Sequence, residues 1–213
     1  MTERPVPRRR TLRLSGVIVG TAVLVVVTIV VGAMTPGYRP MADTVSRLGS
    51  AGEPHALVMQ TAFVLYGLLV LVGAAPLGDA APTRERWLTA AVATYACAGV
   101  VAGLAPKDPP DVASTTASEV HVAATIVGGA AILLAMALVA RHAARRVDRR
   151  LAVAVAIGTA IGVLVFRFSW GSWYYGLVER GFLALAMLWL VALAVDLLVG
   201  DGAGRAGGPP ARQ

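Results

Sequence analysis

Four separated stretches of the chain carry the residue types that do chemistry. They are Asp43 with Ser46, Asp108, His121 close to Glu119, and Glu179 with Arg180. A histidine with a carboxylate to orient it is the minimal general acid–base pair, so His121 is the candidate base, with Asp108 or Glu179 as its partner. Arg180 has the planar fork that holds a phosphate or carboxylate, and Asp43 and Ser46 add short polar contacts. Trp173 and Tyr174 would supply an amphipathic wall, although Trp170, Trp173, Tyr174 and Tyr175 read first as an interfacial aromatic belt. Each polar group also has a plainer use. Thr116-x-x-Glu119 spells a capping box, and Arg180 suits an ion pair with Glu179, Asp108 or Asp43. A zinc centre of three protein ligands would need His55, His121 and a carboxylate, with no H-E-x-x-H to support it, so no metal or other cofactor is assigned. There is no G-x-S-x-G around Ser46, no phosphate-binding glycine loop and no dinucleotide fingerprint.

The elements that position these residues follow from composition. Of 213 residues, 57% are hydrophobic and 15% charged, and the mean hydropathy is +0.70. A water-soluble domain is less apolar and more charged, which excludes a soluble enzyme, a disordered chain and a nucleic-acid module. The single cysteine, Cys97, excludes an internal disulfide. About 20 apolar residues cross a bilayer as helix. Six blocks qualify: Leu14–Met34, His55–Ala75, Trp87–Ala105, Val120–Ala140, Leu151–Trp170 and Gly181–Val199. Arg167 makes the fifth the least regular. The first block resembles a signal peptide behind Arg8, Arg9 and Arg10, but its apolar stretch Val17–Ala33 is too long for one and reads as an anchor. The expected fold is therefore an all-α integral membrane protein, a bundle of six transmembrane helices. Residues 1–13 form a basic amino-terminal segment, 14–199 the membrane domain, and 200–213 a Gly/Pro-rich disordered tail.

Cation placement orients the bundle. With both termini in the cytoplasm, all of the 19 cations lie inside except Arg39, Arg47, Lys107, Arg167 and Arg180. That asymmetry is the positive-inside pattern, and it accounts for the net charge of +7 without nucleic acid. The first outer loop, 35–54, places Met41, Val45 and Leu48 at helical spacing, which predicts a short interfacial helix. Gly16/Gly20, Gly99/Gly103 and Gly158/Gly162 are small-residue pairs in alternate spans, pointing to three packed hairpins. Gln60, Thr94 and Tyr95 suit hydrogen bonds between helices. Asp43, Ser46, Asp108, His121, Glu179 and Arg180 fall at one membrane depth and are expected to line a cavity opening outward between spans two, four and six.

Ser46-Arg47-Leu48-Gly49, Pro106-Lys107-Asp108, His121 and Gly176-Leu177-Val178-Glu179-Arg180 occur in this order around the spans. In these motifs the chain resembles the bacterial membrane family known as domain of unknown function 998, over about Val17 to Val199. The resemblance implies six helices and marks Ser46, Asp108, His121, Glu179 and Arg180, but it carries no activity. An Ala-, Val- and Arg-rich composition suits a high-GC bacterium and its cytoplasmic membrane. Three functions compete: an outer site that binds or acts on a lipid or other amphiphile, a noncatalytic scaffold or sensor, and a small transporter. Membrane lipids are the expected partners, with a homo-oligomer or a second membrane protein left open.

Overall fold

A computed structural model describes residues 8–78, 86–109, 112–142, 146–169 and 171–206. Arg84, Asp111, Arg145 and Trp170 lie outside the described residues, as do 1–7 and 207–213. The described residues form six α-helices: α1 Arg8–Met34, α2 Ala56–Gly78, α3 Arg86–Leu104, α4 Thr116–His142, α5 Arg146–Phe168 and α6 Tyr175–Ala206. The described residues contain no strand. Five helices are long and apolar enough to cross a membrane, and α5 is apolar over the shorter stretch Val153–Phe166. α6 runs to Ala206, so the segment after Val199, expected to be disordered, begins as helix.

Solvent-side chemistry of this bundle is inverted relative to a soluble one. Large apolar residues such as Ile29, Leu57, Ile126 and Leu188 lie exposed, while the interior is crowded with Ala62, Ala74, Ala91, Ala96 and Ala135. Bulky apolar residues facing outward and small ones among the buried leucines and methionines suit helices surrounded by lipid, where close backbone approach supports packing. The protein is a multi-pass helical membrane protein. Each helix packs on the next in chain order, and α6 returns to α1.

The glycine pairs sit at these contacts. Gly16 and Gly20 face Leu69 of α2, and Gly158 and Gly162 face Leu185 and Phe182 of α6. The third pair faces backwards: Gly99 lies against Gly67 of α2, and a Cβ on Gly103 would stand 2.7 Å from Gln60 O. The α3 pair thus closes on α2 rather than on α4.

Polar groups within the spans are satisfied locally. Thr21, Thr61 and Thr159 each donate to a carbonyl one turn back in their own helix, and Thr35, just past α1, donates to Val31 O. Tyr66 and Tyr95 share a 2.9 Å hydroxyl hydrogen bond between α2 and α3.

The described residues of the connections that follow α1, α3 and α5 lie at one end of the bundle. The interfacial helix expected from Met41, Val45 and Leu48 is only a 3₁₀ turn, Ser46–Gly49. It does not lie flat: Leu48 is 0% exposed and Val45 is buried, so the turn plugs the end of the bundle. Three apolar residues are too few to sustain a helix, and inward packing of two of them sets the conformation.

Candidate functional site

Two adjacent side chains of α6 grip the first loop by opposite backbone polarities. Glu179 is 7% exposed, and its carboxylate accepts from the backbone N–H of Val45 and of Ser46, the two residues that open the 3₁₀ turn. Those amides are orphan donors at a helical start, and a buried carboxylate is the strongest acceptor they can find. Arg180 reaches the other way. Its Nη1 donates to Pro40 O at 2.6 Å, Asp43 O at 2.8 Å and Gly176 O at 2.9 Å, and its Nη2 donates to the Tyr38 hydroxyl. Among the described residues Arg180 makes no salt bridge to a carboxylate, although an ion pair with Glu179, Asp108 or Asp43 was expected. Backbone carbonyls of the first loop, Pro40 O and Asp43 O, offer acceptors in its place.

The residues around this grip are knitted together. Asp43 Oδ2 accepts from Arg39 N–H at 2.6 Å and pairs with Arg47 at 2.7 Å, while Arg47 Nε donates to Glu53 at 3.0 Å. Burial opposes the Arg47 charge, but Glu53 and Asp43 outweigh it and raise its pKa. Burial pushes the Tyr38 phenol up to about 12, against the pull of Arg180 beside it. Ser46 Oγ donates to Thr44 Oγ1 at 3.1 Å and contacts no base. Gln60 reaches out of α2 to donate to Gly49 O at 2.8 Å, so its partner is the loop and not a neighbouring helix.

The second connection approaches from α3. Lys107 is the only lysine of the chain. Burial lowers its pKa, and the negative field of Glu179 partly restores it. Lys107 O accepts from Ala51 N–H at 3.0 Å, tying this connection to the first loop. Lys107 also acts electrostatically on His121, which is 5% exposed. The His121 Nδ1 lies 2.9 Å from both Ala102 O and Ala105 O, two carbonyls at the end of α3. In the neutral ring Nδ1–H therefore donates, and Nε2 keeps the lone pair.

Asp108 serves the loop instead: its Oδ2 accepts from Thr115 N–H at 2.6 Å, and its own N–H donates to Ser118 Oγ at 3.2 Å. The cap of α4 is Thr115, whose Oγ1 accepts from Ser118 N–H, one residue before the expected Thr116; Glu119 lies exposed.

Of the sequence candidates, Asp43, Ser46, Glu179 and Arg180 meet directly at the first loop, and His121 joins them through Lys107. Among the described hydrogen bonds none links His121 to Asp108 or Glu179, the partners proposed for acid–base work. Trp173 is 71% exposed and packs edge-on against Tyr174 at 5.5 Å. Among the described residues no three His, Cys, Asp or Glu side chains are grouped to hold a metal ion. Sequence reasoning gave Lys107 and Tyr38 no role in the site and missed the outward reach of Gln60. A lone lysine between two prolines, Pro106 and Pro109, was the available signal for the first.

Comparison with curated proteins and with solved structures gives no match. The family model described as "Protein of unknown function (DUF998)" matches residues 18–196, from α1 into α6 and across all the site residues, and the chain belongs to that family.

Proposed function

We propose that this is a multi-pass protein of the bacterial cytoplasmic membrane, both termini in the cytoplasm, that binds the headgroup of a lipid or other amphiphile at its outer end. One observation supports the reading: Glu179 of α6 accepts from the first loop, Lys107 is tied by its backbone to Ala51 of the same loop, and buried His121 of α4 sits against the end of α3 within the field of Lys107. Ionisable groups drawn into the edge of a membrane bundle are costly, and such clusters mark binding sites. They also lie at one end only. Transport would call for polar groups near the midplane, and there the threonines and tyrosines are occupied with local bonds.

The test is lipid retention by detergent-purified full-length protein, read by native mass spectrometry. Wild type is expected to keep a lipid through delipidating washes, and Lys107→Gln to lose it while unfolding at an unchanged temperature. Wild type without lipid, or Lys107→Gln with wild-type lipid content, would contradict the reading. A second reading, a noncatalytic scaffold, draws on the use of Glu179 and Arg180 to hold backbone. It predicts equal and nonspecific lipid content in both proteins.

A further inference from the structure

The first loop is built as a strap. Gly37 (φ +69°) and Gly52 (φ +88°) stand at its two ends in left-handed conformations, each in open space. Such glycines turn freely, as hinges do. Between them, the Asp43–Arg47 pair staples the segment, while Arg47–Glu53 crosses Gly52 and latches it to the residue beyond. Its attachments to α6 are the Glu179 and Arg180 grips and one backbone bond, Leu177 N–H to Met41 O at 2.9 Å.

The strap presents three kinds of group in a definite order. Its N–H groups go to Glu179, its carbonyls go to Arg180, and its apolar side chains Val45 and Leu48 fill the bundle end. A molecule replacing it must offer a donor to the carboxylate, acceptors to the guanidinium and a hydrocarbon chain to the plug's space. An ammonium, a phosphate and an acyl chain in one molecule meet all three demands. We infer that the strap occupies, in this closed state, the site of a zwitterionic ammonium–phosphate amphiphile, and that such an amphiphile binds by displacing it. This rests on the headgroup-binding reading above and supplies its ligand class and its gate.

The experiment uses full-length protein in vesicles, with Cys97→Ser and Val45→Cys, and reads the rate of labelling by a membrane-impermeant maleimide. In phosphatidylglycerol vesicles labelling is expected to be slow, and Glu179→Gln should accelerate it. Adding phosphatidylethanolamine should accelerate the unaltered strap by about tenfold. If Glu179→Gln has no effect, or the two lipid compositions label alike, the displacement idea is overturned. Free phosphoethanolamine acting as well as the lipid would overturn the amphiphile assignment.

A second pair guards against misfolding of the reporter: Met41→Cys with Leu177→Cys, again with Cys97→Ser. Oxidised, the pair should retain no phosphatidylethanolamine, and reduced it should retain it. Equal retention in both states overturns the strap while leaving headgroup binding standing. No lipid retained in either state, nor by the wild type, removes both.

Discussion

Arg180→Ala is expected to destabilise the protein by about 2–4 kcal/mol, and the structure sets that range. Three acceptors, Pro40 O, Asp43 O and Gly176 O, crowd one guanidinium nitrogen, which has only two hydrogens to share among them. Gly176 lies in α6 itself, so the bonds that hold the loop are those to Pro40, Asp43 and the Tyr38 hydroxyl. Hydrogen bonds from a charged donor contribute roughly 1.5–3 kcal/mol each. Two effects pull the total down. The freed carbonyls lie at the bundle end, where water can reach them. A cation in the second turn of α6 also opposes the helix dipole, and its removal returns about 0.3–1 kcal/mol. Arg180→Lys keeps the charge but cannot fork to Tyr38 and the carbonyls together, and should recover about half of the loss. Reversible unfolding in mixed micelles measures all three proteins. Arg180→Ala within about 0.5 kcal/mol of wild type, the range of an ordinary surface change, would refute the grip.

Gly103→Ala should cost about 1–3 kcal/mol, because its Cβ meets Gln60 O and Val64 of α2, whereas Gly129→Ala has open space and should be neutral or slightly stabilising. In ultraviolet titration, wild type minus Tyr38→Phe should reveal one phenol ionising near 12. From pH 10 to 12 the unfolded chain gives up that proton first, so stability falls with pH in wild type and less so in Tyr38→Phe; a midpoint at 10 would contradict the burial of Tyr38. Lys107, read by amine labelling and intact mass, should titrate below the ordinary 10.5, and Glu179→Gln should move it lower still. An unshifted profile in Glu179→Gln would mean that the two groups do not feel each other.

The helices were legible because membrane crossing imposes length and apolarity, both of which are visible residue by residue. Their partners were less so. The Gly99/Gly103 pair announced close packing, but which neighbour it met depended on the path of α2. Gly176 and its flanks read as loop, and α6 was expected from Gly181. The helix in fact begins at Tyr175, with Gly176 pressed so closely on Asp43 O and Pro40 O that a Cβ would collide. The site was legible as residue types and not as partners. Arg180 and Glu179 bind backbone carbonyls and amides, which every residue carries and no side-chain pattern announces. The carboxylate nearest in sequence logic, Asp43, went to Arg47 one turn away. Lys107 was given no role because its significance is partial burial in the field of Glu179, which comes from a distant segment.

The central claim is a membrane-crossing bundle with its ionisable site on the outer face alone. Because Lys107 is the only lysine, a membrane-impermeant amine reagent at pH 9 reads that face directly, and Arg86→Lys places a second amine on the exposed start of α3 at the opposite end. Peptide mapping of this variant should find Lys107 labelled in right-side-out vesicles and position 86 labelled in inside-out vesicles. Labelling of both positions from the same side, or of Lys107 from the cytoplasmic side, would contradict the account.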